Sequence, residues 1–352
     1  MSLVASLEDV GQLDTYLVGG KGASLGELVT PGLPIPRGFV VTTNAFRLVA
    51  AQFDRAGSIA ERVAGLSAED HEAVEAVTAP IRRRIEETPL PAALRDEVVA
   101  GYHALVGEGT EQDTGVAVRS SATGEDSLDA SFAGVQDTFL WVRGADAVLS
   151  KVRACWASLY SVESVCYRRQ LAIPEGAAAM AVVVQRMVDA RSSGVMFTRS
   201  PSSGDRSLVA VESAWGLGSA VVSGEVTPDS FLVSKVTGEI VRRQLSVKHR
   251  RHVPNSARDG VVDEEVPAGL QEAPSLSDEE LGRLLDLARA VEGHYGRAQD
   301  VEWAIANGPP PREHLFLLQS RPETAWSRQD AGAIATAKPR AFDHVIEVLG
   351  GR

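Results

Sequence analysis

An α+β fold is predicted by three features of the sequence. Up to about residue 110 the patterns are mostly helical, with breaks at Pro31-Gly32-Leu33-Pro34-Ile35-Pro36 and Pro89-Leu90-Pro91. From Val116 onward, short β-branched or apolar runs bounded by Gly, Pro, Ser or Asp take over. Two amphipathic helical patterns lie among these runs, one over residues 146–170 and one opening at Ser277.

In chain order, the first segment with chemical content is Leu17-Val18-Gly19-Gly20-Lys21-Gly22-Ala23-Ser24-Leu25-Gly26-Glu27-Leu28. A glycine-rich turn feeding a helix presents backbone N–H groups, and here Lys21, to an anion. It is not a Walker A loop, because Gly22 follows the lysine and Thr15 stands where that motif needs its first glycine. A tight turn with a surface lysine fits the same residues.

Val116-Ala117-Val118 then runs as a buried strand into the hydroxyl-rich Arg119-Ser120-Ser121-Ala122-Thr123-Gly124-Glu125-Asp126-Ser127, followed by Ser131-Phe132-Ala133-Gly134. An arginine at the exit of an apolar strand needs an anionic partner, either a phosphate or a structural carboxylate such as Glu125. The small residues around it, Ser131 and Gly134 among them, would let a loop close over phosphates and donate N–H and O–H groups.

Residues 146–170 are predicted as one helix, because Val148, Val152, Cys155, Leu159, Val162 and Cys166 fall on one stripe. Cys155 and Cys166 then lie too far apart for a bridge and are expected to be core thiols. Strands follow at residues 180–187, 194–198, 208–212 and 231–233. The run Gln185-Arg186-Met187-Val188 ends a strand whose backbone can hydrogen-bond an adenine edge, with Met187 as an adaptable wall. Glu212, at a strand end before Gly216-Leu217-Gly218, suits a ribose or an adenine amine, and equally a plain β-turn. Those glycines do not complete a dinucleotide fingerprint, since Val221 holds the third position.

The capping box Ser277-Asp278-Glu279-Glu280 opens a helix carrying Leu281, Leu284, Leu285, Ala288 and Val291, expected to end near Gly293 or Gly296. Residues 301–305 and 315–319 then read as strands joined across Asn307-Gly308-Pro309-Pro310-Pro311. Strand alternation points Gln319 and Arg321 the same way and lets Glu302 face them from the neighbouring strand. A Mg²⁺ ion takes one or two protein oxygens plus phosphate oxygens, and arginine forks onto phosphate. The trio therefore suits a metal-bound polyphosphate, and a hairpin with a solvated polar face accounts for the same residues. Beyond Pro322, residues 325–338 read as a linker and residues 341–349 as a short amphipathic helix.

Composition bounds the function. A chain of 352 residues with 44% hydrophobic content can bury two or three cores. A net charge of -12 argues against general affinity for nucleic acid or anionic membrane, so an anionic ligand needs a local cluster of cations. Neither a membrane-spanning run nor a signal-peptide pattern is found, and a cytoplasmic protein is expected.

The ordered set of residues 18–28, Gly38-Phe39-Val40-Val41-Thr42-Thr43, 118–126, 131–134, Ser193-Gly194-Val195-Met196-Phe197-Thr198, 212–218, Gly224-Glu225-Val226-Thr227-Pro228-Asp229 and Gln319-Ser320-Arg321-Pro322 resembles the nucleotide-binding domain of the phosphoenolpyruvate synthase and pyruvate phosphate dikinase family. The resemblance covers roughly residues 10–325. It implies an ATP-grasp fold with ATP between two lobes, at residues 1–185 and 186–324, and a linker and tail over 325–352. It implies further that Lys21, Arg119 and Arg321 contact the phosphates, that Glu302 and Gln319 hold Mg²⁺, and that Gln185, Met187, Val188, Glu212, Ser131 and Gly134 line the nucleotide.

In such enzymes a histidine on a separate swivelling domain attacks the β-phosphorus of ATP, and AMP leaves. Loss of the γ-phosphate then gives a phosphohistidine that is carried to a distant acceptor. None of His71, His103, His249, His252, His294, His314 and His344 lies in the Gly-Gly and Ser/Thr-rich context of a carrier histidine. The expectation is an ATP-binding subunit acting with a histidine-bearing partner, as in two-subunit enzymes that phosphorylate phenolic or benzylic alcohols. The alternatives are an excised ATP domain of a rifamycin phosphotransferase or phosphoenolpyruvate synthase, and a non-catalytic nucleotide sensor.

Overall fold

The computed structural model of the protein describes residues 2–54, 57–107, 114–123, 137–308 and 315–326. The α+β prediction holds, with the strands gathered into two main sheets. The first sheet contains β1 (Val4–Ser6), β2 (Gly38–Val41), β3 (Val116–Ala122), β4 (Thr138–Val142) and β5 (Met180–Arg186) in the order β1-β2-β5-β3-β4. All its pairings are antiparallel. Helices α1 (Thr15–Val29), α2 (Thr43–Phe53), α3 (Ile59–Ala64), α4 (His71–Glu87), α5 (Ala92–Val106), α6 (Ala145–Ser158) and α7 (Val162–Gln170) accompany it. One large core joins Phe46, Ile85, Tyr102 and Trp156 from these helices to Val118, Val182 and Val184 of the sheet.

Residues 146–170 do not form one helix. The stripe is interrupted between α6 and α7, where Ser161 opens a new helix by accepting a hydrogen bond from Ser164 N (3.1 Å). The buried Arg168 donates to the Leu159 carbonyl at the end of α6 (2.7 Å) and pairs with Glu175 at 2.8 Å, so a tertiary ion pair stabilises the break. Cys155 and Cys166 are both buried free thiols, as expected.

The second sheet is built from β6 (Ala190–Phe197), β7 (Leu208–Trp215), β8 (Asp229–Ser234), β9 (Ile240–Gln244) and a C-terminal pair. Before that pair come α8 (Ser219–Val222), the hairpin β10 (Arg250–Pro254) and β11 (Val261–Glu265), α9 (Ala268–Gln271) and α10 (Asp278–Tyr295). The pair is β12 (Gln299–Ala306) and β13 (Leu315–Pro322), and the order is β13-β12-β6-β7-β8-β9. Helix α10 starts at the predicted capping box and ends at Gly296, whose φ of 64° is the left-handed conformation that glycine adopts without strain. Its Leu281, Leu284, Leu285, Ala288 and Val291 pack on Val209, Val211, Phe231, Val301 and Trp303. These sheet residues occupy one face, which leaves the alternate residues of β6, β7, β12 and β13 on the other.

Among the contacts that join the sheets, three sets frame the space between them. Helix α1 lies against β13, where Ser24 Oγ donates to the Ser320 carbonyl at 2.8 Å. Arg119 of β3 reaches β13 through the Leu318 carbonyl at 2.9 Å. The β10–β11 hairpin forms the third link. Its His252 carbonyl accepts from Leu217 N (2.9 Å), and at its tip Gly260 N donates to the Trp141 carbonyl (3.1 Å), while Arg143 donates to the carbonyls of Asn255 and Arg258. Among the described residues, no helix is long and apolar enough to cross a membrane.

Candidate functional site

Between the sheets lies a cleft of about 720 Å³. One wall comes from the first sheet and α1, and it brings Lys21, Ala117, Arg119, Gln185, Met187 and Val188. The other is the open face of the second sheet, with Val195, Phe197, Glu212, Asp300, Glu302, Gln319 and Arg321. A further depression of about 450 Å³ sits beside α4 and α6, lined by Glu75, Glu86, Asp137 and Glu163 around Arg82. With its excess of carboxylates, that depression is the wrong charge for a polyphosphate.

Lys21 is positioned by a kink. Gly19 has φ 72° and ψ 173°, breaking α1 after its first turn, and a Cβ there would lie 2.1 Å from the Ser121 carbonyl oxygen, so only glycine fits. Ser121 Oγ donates to the Val18 carbonyl (2.8 Å) and accepts from Gly22 N (3.0 Å). The expectation that this turn presents its backbone N–H groups to an anion is therefore corrected at Gly22, whose N–H is taken by a serine of β3. Lys21 is 6% exposed and its Nζ donates to the Ser120 carbonyl at 2.7 Å.

Arg119 is 8% exposed on β3, between Val183 and Thr138 of the flanking strands. Its Nη2 donates to Gln319 Oε1 and lies 3.7 Å from Glu302 Oε2. The carboxylate it meets is thus Glu302; the suggested Glu125 lies outside the described residues, as do Ser131 and Gly134.

On the second wall, Glu302 is directly paired with Gln319, and Asp300 with Arg321. The alternation read from the sequence thus places Glu302, Gln319 and Arg321 on one face. The row continues through Val195 to Glu212. Asp300 was missed by sequence reasoning, although it stands two residues before Glu302 and must share its face. Burial pushes its carboxyl up to about 6, against the pull of Arg321, whose Nε is 3.5 Å from Oδ2, while nearby Glu323 adds to the rise. Among the described residues, its buried Oδ1 has no hydrogen-bond partner. Ser219 was also missed; it lines the cleft with its hydroxyl 2.8 Å from His252 Nδ1.

At the other end, Gln185, Met187 and Val188 line the cleft with Leu217. The Gln185 amide donates to the Pro36 carbonyl (3.1 Å), and Met187 N donates to the Gly115 carbonyl (3.0 Å). The expectation that this backbone serves an adenine edge is therefore corrected for the Met187 N–H, which is already bonded within the first wall. The side chains of Met187, Val188 and Leu217 belong to a small apolar cluster with Trp141 and Ala304.

Glu302 and Gln319 offer a carboxylate and an amide oxygen, the hard donors that Mg²⁺ prefers. That these oxygens already stabilise a positive charge is visible in the Arg119 guanidinium they hold. Among the described residues, no group of three or more His, Cys, Asp or Glu is arranged to hold a metal by itself. A metal here would take its other oxygens from a ligand, which is how Mg²⁺ is usually held beside phosphates.

Cations on one wall and oxygen acceptors on the other are complementary to a nucleotide polyphosphate with its counter-ion. Residues 15–341 match the family described as Pyruvate phosphate dikinase, AMP/ATP-binding domain, and the chain belongs to that family. The resemblance read from the motifs is thereby shown. The chain is 41% identical over 321 residues to a probable phosphoenolpyruvate synthase of Methanothermobacter thermautotrophicus, covering 91% of this chain and 46% of the relative. It is 40% identical over 372 residues to the phosphoenolpyruvate synthase of Aeropyrum pernix, covering 98% and 45%. Against a rifampicin phosphotransferase of Streptomyces sviceus it is 41% identical over 322 residues, covering 91% and 36%. The chain thus spans less than half the length of these relatives.

Proposed function

We propose that this chain is the ATP-grasp, ATP-binding part of a phosphoenolpyruvate-synthase-like phosphotransferase of the cytoplasm, and that it presents the β-phosphorus of ATP to a histidine on a separate partner subunit. The observation that carries this reading is the cross-wall set Lys21, Arg119, Glu302, Gln319 and Arg321 around one cleft. On this reading the lobes are residues 1–185 and 186–324. The adenosine lies by Gln185, Met187, Val188 and Glu212, and the phosphates by Lys21, Arg119 and Arg321, with Ser131 and Gly134 proposed as further nucleotide contacts.

In the proposed reaction the histidine nitrogen bonds to the β-phosphorus and the bridge to the α-phosphate breaks, so AMP leaves with the bridging oxygen. Water then removes the γ-phosphate as inorganic phosphate, and the phosphohistidine passes its phosphoryl group to a small organic acceptor such as a phenolic or benzylic alcohol. Glu302 and Gln319 would hold Mg²⁺, which when bound supplies charge neutralisation on the phosphates. Little else is asked of this chain: Lys21 and Arg119 orient the chain of phosphates, and Arg321 contacts the terminal phosphates. A drug-like acceptor is the second reading, favoured by the match to a rifampicin phosphotransferase over the same span as the synthases.

The test is transfer of label from ATP carrying a radioactive β-phosphate, with Mg²⁺ and an extract of the native host. Acid-labile label on a second protein is the expected result and identifies the carrier. Label on this chain would put the histidine here, and tight ATP binding with no label at all would favour a nucleotide sensor.

A further inference from the structure

We infer that Arg119 is the resident cation of the Glu302–Gln319 pair, and that a divalent ion enters only with a polyphosphate that draws the guanidinium away. This rests on the metal assignment proposed above. The Arg119 guanidinium donates to Gln319 Oε1 through Nη2 and to the Leu318 carbonyl through Nη1 (2.9 Å), and Glu302 Oε2 stands 3.7 Å from Nη2. Arg119 thus contacts both side chains assigned to the metal.

The backbone of Arg119 cannot retreat, because β3 is paired on both sides, to β5 and to β4. Relief must come from the side chain alone. A divalent ion placed on the same two oxygens would share them with a guanidinium in a part-buried cleft, where like charges repel strongly. Even at water's dielectric constant the repulsion weakens metal binding by more than about tenfold. A polyphosphate inverts the arithmetic. Its oxygens accept the arginine fork on one side and coordinate the metal on the other, so each cation faces an anion instead of its rival. A nucleoside monophosphate lacks the β-oxygens needed to do both.

Mn²⁺ is the probe, measured as its excess on the protein side in equilibrium dialysis of the full chain. Wild type should hold no Mn²⁺ alone or with AMP and should take up one ion with ADP, a comparison that needs no variant. Arg119→Gln, checked for native circular dichroism, should bind Mn²⁺ without nucleotide at least tenfold tighter than wild type. A merely structural role for Arg119 predicts no such gain. Equal Mn²⁺ affinity of wild type with and without ADP would overturn the inference while leaving the metal assignment intact. So would failure of Arg119→Gln to gain Mn²⁺ when wild type takes it up with ADP. If Glu302→Gln retains full ADP-dependent uptake, or if no uptake occurs with ADP, the metal assignment itself fails and the inference with it.

Discussion

The two walls of the cleft carry opposite kinds of charge and hold them in opposite ways. Lys21 and Arg119 come from the first sheet side as buried side chains, each tied to a backbone carbonyl. Asp300, Glu302 and Gln319 come from the second sheet as alternate residues on an open face whose reverse packs on α10. The first wall fixes its cations by enclosing them, and the second fixes its acceptors by strand register. A ligand bridging the walls would need anion against the first and cation against the second, which is the layering of a metal–nucleotide complex.

Arg321 is the exception, a cation on the acidic wall, and removing it is the sharpest way to break the comparison. Arg321→Ala should slow AMP formation with the proposed histidine-bearing partner about a thousandfold. The dissociation constant for ATP should rise by less than about tenfold, because the cations of the first wall remain. Unchanged AMP formation in a quenched-flow assay would remove Arg321 from the reaction.

The second wall also predicts that neighbours in sequence behave as opposites. Trp303 is fully buried on the packed face of β12, so Trp303→Ala should cost about 3–5 kcal/mol in urea unfolding. Glu302→Gln, one residue away on the cleft face, should leave unfolding within about 0.5 kcal/mol of wild type and abolish transfer. Similar stability losses for both would mean that the two faces are not distinct in function.

Asp300 tests whether the acidic wall is held against its own preference. Its carboxyl is raised to about 6 by burial, so between about pH 4 and pH 6 the folded state binds this proton more tightly than the unfolded state. Stability from this group therefore falls as pH rises through that window, by up to about 3 kcal/mol. Asp300→Asn should be more stable than wild type at pH 8 by up to that amount and equal to it near pH 4, in paired urea titrations. A constant difference across pH would show that Asp300 does not carry the cost. The smallest effect belongs to the support behind the wall. Ser277→Ala removes the cap of α10, where Ser277 Oγ accepts from Glu280 N at 3.2 Å, and should cost about 1 kcal/mol with no change in ATP affinity.

How much of this was legible depended on whether local pattern or tertiary contact decided the outcome. The shared face of Glu302, Gln319 and Arg321 was legible because alternation alone predicts it, whereas the register shift between Glu302 and Trp303 was not. Helix α10 was legible because its cap and stripe are local. The break between α6 and α7 was hidden, since the apolar stripe runs through it and what holds it open is Arg168 reaching back to Leu159. Strands β9, β10 and β11 were missed because residues such as Arg243, Arg250 and Asp263 carry no apolar alternation; Arg250 and Asp263 instead meet across the hairpin at 2.5 Å. Lys21 and Arg119 were visible as candidates, but their carbonyl and carboxylate partners lie about a hundred or more residues away along the chain, beyond any local pattern.

Strand β12 can be regarded as text with a reading frame of two. Asp300, Glu302 and Ala304 spell the cleft, while Val301, Trp303 and Ile305 spell the core. A substitution alters one letter, but inserting or deleting a single residue inside β12 shifts the frame, sending a tryptophan to the cleft and a carboxylate to the leucines of α10. Variation in this strand should therefore be confined to replacements, with length changes relegated to the turns at its ends.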